Sequence, residues 1–416
     1  MKIALLNYRY FISGGPERYL FNIKEVLERH GHETVVFSIK NSRNEPSPFE
    51  EYFLDSVEDS AYFAQSKKSP SMVLKSFSRM FYSFEAKRKF SKLLRDTRPD
   101  VVYMMQYHNK ISPSVIDAAR ALHIPVVHRI SDMQYMCPNA LFYTPERGIC
   151  DDCLRGKRRS CIKQKCVLNS RIYSAIKAGA KLFHDIIGVT RRIDALVVPA
   201  RFTAQRLAEY GIPQSKLNHV PTFFNIKEQD PPVEYQPYAL YFGRIEPAKG
   251  LTTLVNAFVD TDMELKIIGA CTDDYIDTLK AMLQGRKHNI QFLGEMPFDR
   301  LKEHLRRCRF CIVPSECYDN FPNVVLESFA FKKPVVATDL GSLPELIEEG
   351  TTGHLFKYRD ADMLRRISRR LMLSPDECIA MGNNAYQLIL TKYNPETHYN
   401  ALMNIFSDVI ASNKHS

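Results

Sequence analysis

No stretch of this chain is apolar over anything near the roughly 18 residues that a helix needs to cross a bilayer, so no membrane-spanning helix is expected. A secretory leader is not expected either. Met1-Lys2-Ile3-Ala4-Leu5-Leu6 runs straight into Asn7-Tyr8-Arg9 and reads as the first strand of a fold. Together these absences point to a cytoplasmic location. There is no strong internal repeat, no recognisable nucleic-acid module and no basic, aromatic-studded sheet motif, so nucleic acid is not expected as a partner. The formal net charge of +10 instead favours nucleoside diphosphates or acidic lipid headgroups. Disulfides are equally unexpected: in a cytosolic chain the ten cysteines are thiols or metal ligands first.

What is present is the balance of a soluble globular protein, and 416 residues exceed one ordinary core and fit two domains of roughly 200 residues each. Strand and helix patterns alternate in both halves. In the first, strands are predicted at Lys2–Leu6, Thr34–Phe37, Val101–Met105, Pro125–Val127 and Ala195–Val198. Residues 41–80 read as a loop-rich insertion with one short helix. In the second, strands are predicted at Tyr238–Phe242, Leu265–Ile268, Ile290–Leu293, Phe310–Val313 and Val335–Ala337. Strands separated by helices imply parallel sheets with right-handed crossovers. The expected architecture is α/β, with two Rossmann-like doubly wound domains facing an interdomain cleft. Their expected bounds are residues 1–220 and 238–392. A linker at 221–237 is marked by Pro221, Pro231, Pro232 and Pro237, and a final helix lies within 393–416.

The chemistry gathers in the second half. Gly243-Arg244 ends the strand Tyr238–Phe242 and is followed by Lys249-Gly250. Gly243 allows close backbone approach, and two cations at a helix start suit a diphosphate. Further on, Asp319-Asn320-Phe321-Pro322-Asn323-Val324-Val325-Leu326-Glu327 sets two carboxylates eight residues apart across a turn and a helix start. Pro322 has no N–H to donate, which leaves the amides of Phe321, Asn323 and Val324 at that start.

This stretch resembles the E-x7-E signature of the retaining nucleotide-sugar glycosyltransferases of family 4, and the Gly-Arg … Lys-Gly pattern is similar to that family's. The resemblance implies the GT-B fold and a nucleotide-sugar donor, UDP- or GDP-linked. It places Arg244 and Lys249 on the donor diphosphate, Asp319 on the transferred sugar and Glu327 on the ribose. Asn320, Phe321, Asn323 and Val324 would lie against the donor. No metal is then required for catalysis, since the two bases supply the charge. The last helix would pack back on the first domain. Asp319 departs from the usual Glu, which shortens the arm by one C–C bond, roughly 1.5 Å.

In the first half, Gly14-Gly15-Pro16-Glu17-Arg18 is similar to the family's N-terminal glycine loop and implies donor contact for Gly14 and Gly15. Tyr107-His108-Asn109 and Ser131-Asp132 follow predicted strands, which makes His108 and Asp132 acceptor-site candidates. Ser131 stands where many relatives have His. Cys150, Cys153, Cys161 and Cys166 form C-x2-C-x7-C-x4-C in a basic loop, a spacing that suits a structural zinc ion or unligated thiols. That loop and the amphipathic helix from Arg171 to Ile187 suit an anionic membrane surface, peripheral at the inner face. The predicted activity is transfer of a sugar with retention to a sugar or lipid-linked acceptor, in cell-surface polysaccharide or glycolipid synthesis. A nucleotide-sugar epimerase on the same fold, or a non-catalytic nucleotide-sugar-binding protein, is the alternative.

Overall fold

The computed structural model describes residues 1–56, 70–157, 159–226, 235–271 and 274–414. Pro231 and Pro232 of the expected linker lie outside the described residues, as does Arg158 of the basic loop. The first sheet contains β1 (Lys2–Leu6), β2 (Glu33–Phe37), β3 (Val101–Met104) and β4 (Val126–Arg129). A short hairpin of β5 (Tyr143–Thr144) and β6 (Gly148–Ile149) intervenes before β7 (Ala195–Val198) and β8 (Leu217–His219) complete that sheet. The second sheet contains β9 (Tyr238–Phe242), β10 (Glu264–Ile268), β11 (Asn289–Gly294), β12 (Phe310–Val313), β13 (Val335–Thr338) and β14 (Gly353–Phe356).

Both sheets are parallel throughout, ordered β2-β1-β3-β4-β7-β8 and β11-β10-β9-β12-β13-β14. The central strands β1, β3, β9 and β12 are almost wholly buried because helices cover both faces, which is why they read as unbroken apolar runs. In each sheet the chain reverses direction beside its first strand. Consecutive loops therefore diverge between β1 and β3 and again between β9 and β12, opening a crevice at the carboxyl ends of the strands. Apart from the four cysteines and Glu327, which lies further along the helix Asn323–Ala330, every candidate site residue named above lies on a loop or helix start at these ends.

The helix Pro395–Lys414 leaves the second half and joins the first core. Leu402, Ile405 and Phe406 pack with Ile3, Leu5 and Tyr103, and the Phe406 ring lies 5.3 Å from that of Tyr103. Phe406→Ala should destabilise the protein by about 3–5 kcal/mol, the usual result of emptying a fully buried aromatic site. A urea melt of the first sheet unchanged by the substitution would show that this helix is not part of that core.

Several elements differ from expectation. A helix at Phe84–Thr97, capped where the Ser83 hydroxyl accepts the Ala86 amide, occupies a segment left unassigned from sequence. In the helix Arg171–Ile186, Ile172 and Ile186 are 72% and 74% exposed, while Lys177 lines a cavity. The inward side of this helix also meets the helix Pro70–Phe81, with the Phe81 and Phe183 rings 5.9 Å apart.

Candidate active site

The loop after β9 is folded tightly onto β12. Gly250 has φ +73°, and a Cβ there would sit 1.8 Å from the Pro314 carbonyl oxygen, so only glycine permits this approach. The consequence is that Lys249 meets Asp319: its ammonium pairs with Asp319 Oδ1. Burial opposes a charge on Lys249, but the Asp319 carboxylate outweighs it and holds the lysine above its usual pKa. Asp319 Oδ2 is buried and has no hydrogen-bond partner among the described residues. Arg244 is in a different environment, 61% exposed and 3.1 Å from Glu246 Oε2.

Ser342 donates its hydroxyl to the Asp319 carbonyl at 2.8 Å and fixes the turn. Asn320 does not offer its side chain to a ligand. Its Nδ2 donates to the Ile130 carbonyl at 2.8 Å and its Oδ1 accepts from Thr203 at 2.7 Å, both in the first half. Asn320 thus ties the halves together. Phe321 packs 5.9 Å from the Tyr393 ring. Pro322 caps the helix Asn323–Ala330, whose first amides, from Asn323 and Val324, have no acceptor within the helix. Glu327 lies further along the same helix, 3% exposed, and pairs with Arg18 across the gap between the halves. Burial holds its pKa above the usual carboxylate value, an effect that Arg18 only partly offsets.

From the first half, Gly14 caps the helix Gly15–Arg29. A Cβ on Gly15 would come within 3.0 Å of Asn323 Nδ2, so glycine lets the loop close against the carboxylate motif. Arg18, one turn on, was quoted in the glycine-loop motif but not foreseen as a partner for Glu327. His108 and Asp132 line one cavity of about 140 Å³, which Lys177 also lines. Lys177 carries no motif in the sequence, and only the packing of its helix brings it to this cavity.

The four cysteines, expected as a structural zinc site or as unligated thiols, do not form an assembled metal cage among the described residues. Cys150, Cys153, Cys161 and Cys166 are free thiols near enough to influence one another, with Cys153 and Cys161 hydrogen-bonded. Among the described residues, however, no group of three or more His, Cys, Asp or Glu can hold a metal ion. Cys150 Sγ faces Gln164 Oε1 at 3.9 Å instead. The loop has other anchors. Asp152 accepts from Arg147 at 3.1 Å and from Gln164 at 3.2 Å, and Tyr143 packs against Ala248 and Cys317 of the second half. No helix among the described residues is long and apolar enough to cross a membrane.

Residues 13–228 match the family model described as Glycosyltransferase Family 4, and residues 223–388 match the one described as Glycosyl transferases group 1. The chain is 28% identical over 183 residues to a lipopolysaccharide core biosynthesis mannosyltransferase of Rhizobium leguminosarum, covering 42% of this chain and 51% of that one. The chain spans about half the length of the curated relatives it matches. Among solved structures, a sucrose-phosphate synthase from Thermosynechococcus elongatus aligns over 99% of both chains, with a TM-score of 0.69 and 16% identity. The Anabaena protein HepE in complex with UDP-glucose aligns over 98% of this chain and 100% of its own, with a TM-score of 0.63 and 16% identity. At such identity these structures speak to the fold: the α/β, two-domain GT-B arrangement.

Proposed function

This chain belongs to glycosyltransferase family 4, and on that premise we propose that it transfers a sugar from a nucleoside diphosphate donor to a hydroxyl acceptor with retention. The observation that carries this reading is the convergence of Lys249, Asp319 and Glu327 at one switch point of the second sheet, closed over by Gly15 and Arg18. An ammonium has three N–H donors, so Lys249 can hold Asp319 and still donate to a diphosphate. As the bond from the sugar's C1 to the β-phosphate oxygen breaks, the leaving diphosphate gains charge that Lys249, Arg244 and the Asn323 and Val324 amides stabilise. The acceptor oxygen bonds to C1, and its proton passes to the leaving phosphate. Asp319 Oδ2 accepts a hydroxyl of the transferred sugar. Glu327 takes the ribose hydroxyls, for which Arg18 must release it. The mannosyltransferase relative and the UDP-glucose complex of HepE agree with a nucleotide-sugar donor and a role in surface polysaccharide or glycolipid synthesis.

The test is release of nucleoside diphosphate from UDP- or GDP-sugars, followed with and without acceptor. One equivalent released per bond formed, with the donor's anomeric configuration kept in the product's proton NMR spectrum, is expected. Isomerised donor without release would identify an epimerase, and binding without release a non-catalytic protein.

The helix Arg171–Ile186 supports a membrane-surface setting. Leu168, Ile172, Ala175, Leu182 and Ile186 form one exposed stripe at spacings of four, three, seven and four residues, next to the exposed bases Lys163, Lys165 and Arg171. Such a face suits the surface of an anionic membrane. Ile172→Glu with Ile186→Glu should weaken binding to phosphatidylglycerol vesicles by at least roughly a hundredfold, since each buried side chain contributes about 1.5–3 kcal/mol. Cosedimentation equal to wild type would remove this surface from the account.

A further inference from the structure

At the carboxyl end of the first sheet lies a cavity of about 140 Å³ that the donor-binding groups do not use. At ~30 Å³ per water it has room for roughly four or five waters, or for a sugar ring in their place. Tyr8 enters it from the loop after β1, His108 and Lys110 from the loop after β3, Asp132 and Gln134 from the loop after β4, and Lys177 from the helix Arg171–Ile186. Its position places it beside the donor motif. The Ile130 carbonyl, two residues from Asp132, accepts the hydrogen bond from Asn320.

Two lysines and a single carboxylate face this cavity, and the carboxylate is already engaged. Gln134 donates its amide N–H to Asp132 Oδ1 and its side-chain Nε2 to Oδ2, each at 2.9 Å. Lys177 makes no hydrogen bond or ion pair among the described residues, although Asp132 is near enough to act on it through space. A buried or half-buried ammonium without a bonded counter-ion is costly, and Lys110 beside it adds like charge. His108 Nε2 is also buried without a partner, on the same wall. The neighbouring His128 differs: it meets the Met105 carbonyl through Nε2 and the Tyr135 hydroxyl through Nδ1, both at 2.8 Å, so its ring is fully used. Two polar groups therefore point into the cavity with their hydrogen-bonding capacity open, one cationic and one neutral. Hydroxyls alone would satisfy the imidazole but leave the ammonium without a counter-charge. A carboxylate or phosphate would supply it.

We infer that this cavity is the acceptor subsite and that the acceptor sugar carries an anionic group, held by Lys177 while His108 bonds a neighbouring hydroxyl. This rests on the transferase reading for the word acceptor, but not for the anion preference itself. Calorimetry on the full chain tests it, titrating glucuronate, glucose 6-phosphate, glucose and inorganic phosphate into the wild type, Lys177→Met and Lys177→Arg. The wild type should bind glucuronate or glucose 6-phosphate at least about tenfold more tightly than glucose, in line with a charge-assisted hydrogen bond. Whichever of the two binds more tightly identifies the anion as carboxylate or phosphate. Lys177→Met should lose the preference and Lys177→Arg should keep most of it, while both bind UDP as the wild type does, which shows that they fold. Glucose binding as tightly as the anionic sugars, no binding of either anionic sugar, or a preference that persists in Lys177→Met would overturn the inference. So would inorganic phosphate binding as tightly as glucose 6-phosphate, because the sugar would then contribute nothing. UDP titrated into the same samples separates the two readings: an intact anion preference without UDP binding would count against the transferase alone.

Discussion

Lys249→Met is expected to lower kcat/KM for sugar transfer by about a hundredfold to a thousandfold, the range seen when one preorganised donor to a developing negative charge is lost. Methionine keeps the length and the apolar stem, so the loop that Gly250 folds against Pro314 should stay in place. What disappears is the ammonium, and Asp319 is left behind it with neither oxygen paired. Removing one partner of a buried pair typically costs about 3–5 kcal/mol of stability, so urea melts belong beside the rate measurement. The catalytic loss must persist at denaturant-free conditions where the variant is fully folded. The double variant Lys249→Met with Asp319→Asn should recover stability without recovering rate. A single variant turning over within threefold of wild type would remove Lys249 from the departing diphosphate.

Glu327→Ala should weaken UDP binding by roughly a hundredfold, because two hydrogen bonds to a charged group contribute about 1.5–3 kcal/mol each and part of that is offset by releasing Arg18. Arg18 is a third exposed even when paired, so freeing it should disturb the fold little. The specific readout is the ribose. Wild type should bind 2′-deoxy-UDP about tenfold more weakly than UDP, and the variant should bind both alike, since the deleted oxygen and the deleted carboxylate act as one contact. Equal discrimination in both proteins would place Glu327 elsewhere than on the ribose.

The parts of this fold that the sequence makes legible are those set by local rules. Buried parallel strands such as Tyr238–Phe242 and Phe310–Val313 are continuous apolar runs bounded by Gly243 and Pro314, and they stand in the structure at the same residues. β8 and β14 escaped notice because edge strands carry polar residues, Asn218 and His354 among them, and have no such run. The Phe84–Thr97 helix was overlooked although Ser83 is a good cap, since Lys87, Arg88, Lys89 and Lys92 dilute its apolar side. Within the site, the motifs bring Lys249, Asp319 and Glu327 onto the page at once. Their partners across the gap do not show, because Arg18 with Glu327 and Asn320 with Ile130 and Thr203 are pairings between halves that no spacing encodes. The inward turn of Lys177 is hidden for a related reason, since only the neighbours packed against the helix Arg171–Ile186 decide which of its sides faces in.

The proposed reaction requires a nucleoside diphosphate seated between the two halves by Lys249 and Glu327, and thermal denaturation with and without UDP or GDP measures this directly. At a hundredfold excess over its dissociation constant a ligand of the native state adds about 2.7 kcal/mol. The melting point of the wild type should therefore rise with one of the two nucleotides, while Lys249→Ala and Glu327→Ala show no rise at the same concentration. An equal rise in all three proteins, or none in the wild type with either nucleotide, would contradict it.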